Sequence, residues 1–106
     1  MKMITAIINR KDANLVCDAL TNAGFIFTKI ATSGGFLKKG NVTLLIGTDI
    51  DRVKEVVGII RDHSAQRTEK TPSVAASGTT SYLTSTDVLV GGATVFVSAV
   101  EYFEKM

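Results

Sequence analysis

The sequence predicts an α+β sandwich of ferredoxin-like βαββαβ order, a four-stranded antiparallel sheet with two helices on one face. Three observations predict it. Residues 3–8 are apolar or β-branched on both alternating faces, Met3/Thr5/Ile7 and Ile4/Ala6/Ile8, as in a strand buried on two sides. Two later stretches, 15–23 and 50–60, carry apolar residues at helical spacing. Strand-like runs at 25–32, 41–47 and 87–99 fill the remaining places in the order.

Taken in turn, the first strand ends at Asn9, which stands three residues before Asp12, as an N-cap stands before an acidic N3 residue. Leu15, Val16, Ala19, Leu20 and Ala23 then form the apolar stripe of the first helix, and Gly24 follows as its C′ residue. The second strand places Phe25, Phe27 and Ala31 on one face and Ile26, Thr28 and Ile30 on the other. A glycine-bounded turn over 33–40 leads to the third strand, the return arm of a hairpin. Thr48 and Asp51 give a second capping signal, followed by Ile50, Val53, Val56, Val57 and Ile60 on one helical face.

From 62 to 86 the chain is rich in Ser, Thr and Ala and loses periodicity, so a long loop is expected between the second helix and the last strands. Strand character returns at 87–99, interrupted by Gly91 and Gly92, where a bulge or a close backbone approach is expected. A short helix over 100–105 is expected to close the chain. Two helices cover one face of such a sheet, whereas the first and last strands are apolar on both. The bare face is therefore expected to meet another subunit.

The length of 106 residues places a single domain over 1–106, large enough to fold without disulfides or a structural metal. A net charge of +2, from 12 Lys and Arg against 10 Asp and Glu, lacks the basic excess of a DNA or RNA coat. No apolar stretch is long enough for a membrane span, and the apolar run at the N-terminus is too short for a signal peptide, so a cytoplasmic location is expected. One cysteine, Cys17, allows no internal disulfide and no thiolate zinc cluster.

Catalytic chemistry is thin. The only histidine, His63, lies in a polar segment beyond the second helix and reads as a surface residue. Cys17, beside the apolar stripe, reads as a half-buried packing residue. Asp49, Asp51, Glu55 and Asp62 read as solvated helix charges rather than metal ligands. Arg10, after the first strand, is the residue on which a phosphate-binding hydrolase would be built, and no positioned general base accompanies it. No enzyme, cofactor or metal is expected.

The glycine-rich turn carries the stronger signal. Residues 35–40 hold two glycines at the Walker spacing, but Asn41-Val42 follows where Lys-Ser/Thr is required, and the next element is a strand. The turn offers unobstructed backbone N–H groups, Phe36 and Leu37, and Lys38 and Lys39. Between Ile26 and Thr48 there are three lysines and no acidic residue. This chemistry suits a small anionic ligand bearing an aromatic base. It equally suits a hairpin whose Phe36 and Leu37 tuck into a neighbouring subunit.

The run Thr28-Lys29-Ile30-Ala31-Thr32-Ser33-Gly34-Gly35-Phe36-Leu37-Lys38-Lys39-Gly40-Asn41, together with Gly91-Gly92-Ala93-Thr94-Val95-Phe96-Val97, resembles the PII-like cyclic di-AMP receptors of Gram-positive bacteria. The resemblance runs from 1 to 67 and resumes near 87. It implies a ferredoxin-like subunit assembled as a homotrimer. It further implies a non-enzymatic signalling role, with cyclic di-AMP bound in clefts between subunits and loops that order on binding to address a protein effector. Carried over by position, the ligand contacts would be Thr28, Gly35, Phe36, Leu37, Asn41, Gly47 and Phe96. Thr28 and Asn41 can hydrogen-bond base edges or phosphate, the glycines permit close approach, and the apolar side chains pack on adenine.

The chain departs from the family pattern at the start of the second strand. Gly24-Phe25-Ile26 stands where these receptors commonly carry Asn-Phe-Arg, so a polar group and a guanidinium are replaced. One lost charge-assisted hydrogen bond is worth roughly 1.5–3 kcal/mol. The segment 62–86 also lacks the Pro- and Gly-rich run of the family. The alternative reading is a divergent PII-like trimer that takes another adenine nucleotide, or only a protein partner through 62–86.

Overall fold

The computed structural model describes residues 1–30, 40–74 and 83–106, with side chains described outside 69–74 and 83–88. The elements are β1 (Lys2–Asn9), α1 (Arg10–Asn22), β2 (Phe27–Ile30), β3 (Asn41–Thr48), a 3-10 turn (Ile50–Arg52), α2 (Val53–Ser64), β4 (Arg67–Val74), β5 (Leu83–Val90) and β6 (Ala93–Ala99). The main sheet has the order β2-β3-β1-β6, and every neighbouring pair in it is antiparallel. This is the expected ferredoxin-like arrangement, with β6 as its fourth strand. Between α2 and β6, β4 and β5 form a separate two-stranded antiparallel sheet.

That ribbon corrects the expectation of a loop over 62–86. Strand alternation of apolar residues is a signal only where one face is buried, and a two-stranded ribbon paired only with itself has no need of it. Both strands are edges, so Pro72 in β4 is tolerated. The expected helix over 100–105 is also absent: beyond β6 the backbone forms no helix, and Tyr102 and Phe103 are exposed. A helix so short, with no apolar stripe to bury, does not repay its nucleation.

The core lies between the sheet and the two helices. Ile4, Ala6 and Ile8 of β1, Val42, Leu44 and Ile46 of β3, Val16 and Leu20 of α1, and Val56 and Ile60 of α2 are buried together. Leu15, placed by spacing in the α1 stripe, is instead 58% exposed, and Ile50 is exposed before α2 begins. The register turns Ile4, Ala6 and Ile8 toward the helices, leaving Met3, Thr5 and Ile7 on the opposite face.

Both ends of α1 are closed as expected. Asn9 adopts extended backbone angles and its side-chain oxygen accepts from the Lys11 N–H at 2.9 Å. At the other end Gly24 has φ +86°, its N–H donates to the Thr21 carbonyl, and the Phe25 N–H donates to the Leu20 carbonyl. This is a Schellman closure, sealed by the buried pair Leu20 and Phe25. Arg52 then ties the two helices: it donates to the Ala23 carbonyl at 3.0 Å, pairs with Glu55, and lies 4.0 Å over the Phe25 ring. Glu55 is thus ion-paired rather than merely solvated.

Two stability measurements check this account. Leu44→Ala, which truncates a fully buried side chain, should cost about 2–5 kcal/mol in urea unfolding. Glycine substitutions should split in sign. Gly24→Ala, at positive φ, should destabilise by about 1 kcal/mol, while Gly58→Ala, inside α2 with open space at its Cβ, should stabilise by about 0.4–1 kcal/mol.

Candidate functional site

The helix-free face of the sheet holds every described residue that the sequence nominated as a ligand contact. Alternation sends Thr5 and Ile7 of β1, Thr43 and Leu45 of β3, Thr28 and Ile30 of β2, and Thr94 and Phe96 of β6 to this side. The register sets Thr28, Leu45, Thr5 and Phe96 in one row across all four strands. Thr28 is exposed and Phe96 is 58% exposed. They stand at opposite edges of the sheet, about 14 Å apart at ordinary strand spacing. Asn41, half-buried, begins β3 opposite Asn9, and Gly47, exposed, lies near its other end opposite Met3.

Sharing a face, these residues do not converge on one pocket within a single chain. A cleft of about 1020 Å³ opens where the C-terminal end of α2 meets the turn between β5 and β6, and Asn41, Ile7, Arg61, Gln66, Gly92 and Thr94 are among its walls. A smaller hollow of about 200 Å³ at the other end of the sheet is lined by Ile26, Gly47 and Arg52, among others. Asn41 therefore borders the large cleft and Gly47 the small one, while Thr28 and Phe96 border neither. Gly35, Phe36 and Leu37, with Lys38 and Lys39, lie outside the described residues.

The large cleft is lined by polar and apolar groups together. Ile7, Val57, Ile60 and Val95 supply the apolar surface. Arg61, in the last turn of α2, is exposed and brings a cation to the wall. Backbone shapes the opposite side. Gly91 and Gly92 have φ +78° and +87°, and the Gly92 N–H donates to the Ser64 carbonyl. A Cβ at Gly91 would lie 2.7 Å from Arg67 Nη1 and 3.2 Å from Asp12 Oδ2, so the close approach expected of this glycine pair is present. A cleft with mixed polar and apolar walls and one cation can take a flat base carrying a phosphate.

Asp12 behaves differently from a helix-capping acid. It is buried, and its carboxylate takes both arms of the Arg67 guanidinium, at 2.8 and 3.2 Å. The pair joins the first turn of α1 to the first residue of β4. Sequence spacing shows no trace of it, because Asp12 and Arg67 are far apart in the chain and each alone looks like a surface charge. Arg61 and Arg52 were likewise passed over. Their signal was a basic residue near the end of one helix and at the start of another.

The remaining candidates for chemistry are occupied by structure. His63 is half-buried, with Nδ1 2.8 Å from the Ile59 carbonyl, one turn back in α2. Cys17 packs against the core from α1, and burial pushes its thiol pKa up, with Lys29 opposing and Asp18 adding to the shift. Arg10 is exposed at the start of α1, and its N–H donates to the Gly40 carbonyl at 2.7 Å. Among the described residues no group of three or more His, Cys, Asp or Glu is placed to hold a metal ion. No helix among them is long and apolar enough to cross a membrane.

Comparison with known proteins agrees with this architecture. A crystal structure of a functionally unknown protein from Pediococcus pentosaceus ATCC 25745 superposes with a TM-score of 0.79 at 38% identity, over 99% of this chain and 96% of that one. The chain is 38% identical, over 78 residues, to the nitrogen fixation nifHD region GlnB-like protein 1 of Methanothermococcus thermolithotrophicus, a match covering 61% of this chain and 74% of that protein. The family model described as cyclic-di-AMP receptor matches residues 1–106. With the ferredoxin-like order of the main sheet, these matches assign the fold and the lineage together: the chain belongs to the PII-like cyclic-di-AMP receptor family.

Proposed function

We propose that this protein is a non-enzymatic signalling receptor that binds cyclic di-AMP in clefts between the subunits of a homotrimer and relays binding through its loops to a protein effector. One observation carries the reading: Thr28, Asn41, Gly47 and Phe96 share the helix-free face of the sheet yet lie too far apart to surround a base within one chain. A second copy resolves this. With the Phe96 edge of one copy set against the Thr28 edge of the next, the two copies complete one site.

In this scheme each residue has a part suited to its chemistry. Phe96 stacks on adenine, Thr28 and Asn41 hydrogen-bond base or phosphate, and Gly47 lets the ligand approach the backbone. Gly35, Phe36 and Leu37 complete the set of contact positions, and Lys38 and Lys39 raise the potential for the ligand's two phosphodiesters. Ile26, 81% exposed at the rim of the smaller hollow, presents an apolar side chain to that end of the site. No bound cofactor or metal takes part.

Isothermal titration should give saturable binding of cyclic di-AMP at one ligand per subunit, with ATP, AMP and cyclic di-GMP silent. Silence from all four ligands would refute the receptor reading and turn attention to a protein partner of residues 62–86. Replacing Phe96 by Ala should weaken binding by about 1–3 kcal/mol while leaving the trimer intact. Sedimentation equilibrium at micromolar concentration checks the assembly, and a monomer there rejects the shared site.

A further inference from the structure

We infer that Asp12 and Arg67 are positioning residues for the large cleft that Asn41 borders, an ion pair with a buried carboxylate that latches the base of the β4–β5 ribbon to the N-terminal turn of α1. The inference rests on the receptor reading for its ligand and on geometry for its latch. Asp12 is 2% exposed and is gripped by the guanidinium through two hydrogen bonds of 2.8 and 3.2 Å. Burying a carboxylate is costly, and an apolar pair of similar volume commonly stabilises a fold as well or better. Stability alone therefore does not account for a charge at this position. Orientation does, because a planar fork on a carboxylate fixes both distance and angle.

What the pair orients is the wall of the cleft. Arg67 is the first residue of β4 and pairs in register with Val90, the last of β5, directly before Gly91 and Gly92. Gly91 leaves no room between its backbone and the ion pair, so the position of Arg67 sets that of the turn. Gly91 and Gly92 line the large cleft, and Gly92 is held to the end of α2 through the Ser64 carbonyl. The same turn of α1 also reaches the other side of the cleft. Arg10 donates to the Gly40 carbonyl, immediately before Asn41. One turn of helix thus holds both the end of the glycine-rich connection and the base of the ribbon, and a ligand seated between them draws on both attachments.

The test pairs amide hydrogen exchange with cyclic di-AMP titration in the unmodified protein and in Asp12→Asn, Arg67→Gln and Arg67→Lys. Loss of the latch should speed exchange across β4 and β5 at least tenfold in Asp12→Asn and Arg67→Gln, beyond the change that any loss of global stability brings to the β1 and β3 amides. Cyclic di-AMP affinity should fall at least fivefold in both, and Arg67→Lys should recover part of each effect. Arg67 is half-exposed, so its variants carry the test if Asp12→Asn does not fold. Unchanged ribbon exchange in the Arg67 variants would overturn the latch. Faster exchange with unaltered affinity, in a protein that binds, would overturn the positioning role. If the unmodified protein binds no cyclic di-AMP, the receptor reading fails separately, and the exchange result alone decides the latch.

Discussion

One-sided cover of the sheet governs this molecule. β1 is hydrogen-bonded on both sides, by β3 and β6, and its alternate residues Ile4, Ala6 and Ile8 reach zero exposure only because α1 and α2 lie across them. The helices have one sheet face to cover and cover it. The other face keeps Met3, Thr5, Ile7 and Leu45 at intermediate exposure and Phe96 well exposed. That asymmetry makes the open face available to a ligand, to another copy, or to both at once. It also turns the strand register into a map of the candidate site, since residues of one parity enter the core and those of the other make up the open face.

Charge is used sparingly and at joints. Arg52 links the closure of α1 to the start of α2 by touching the Ala23 carbonyl, the Glu55 carboxylate and the Phe25 ring. At the other end of α1, Asp12 and Arg67 link the helix to the ribbon. The two joints differ in kind. Arg52 and Glu55 are both substantially exposed, so their ion pair alone adds little stability, and the packing on Phe25 matters more. Asp12 is desolvated and depends on its partner for its charge to be tolerated.

Much of this was legible in the chain, for reasons that can be named. β1, α1, β3 and α2 each bury one side against a common core, so their periodicity is written in apolar residues. The caps of α1 were legible because Asn9 and Gly24 are chosen by backbone geometry rather than by tertiary partners. The ribbon was not, because two strands can pair their facing N–H and C=O groups, with the outward ones left to solvent, without an apolar face. Leu15 was misjudged because helical spacing identifies a stripe but not its edge. For the candidate site, the open-face parity of Thr28, Asn41, Gly47 and Phe96 follows from the strands. The cleft walls at Arg61 and Gly92, and the pair Asp12 with Arg67, arise from tertiary juxtaposition that spacing does not encode.

The pairing of Lys2 with Ala99 carries a kinetic consequence. β1 is an interior strand of the main sheet, yet one of its two partners comes from the far end of the described chain. Its pairing with β3 closes a much shorter loop and can form first, giving a three-stranded intermediate with β2 in which one edge of β1 is unpaired. Until β6 arrives, that edge is an apolar strand open to other chains. The closing of that edge by β6 therefore bears on the chain's exposure to aggregation as well as on its final stability.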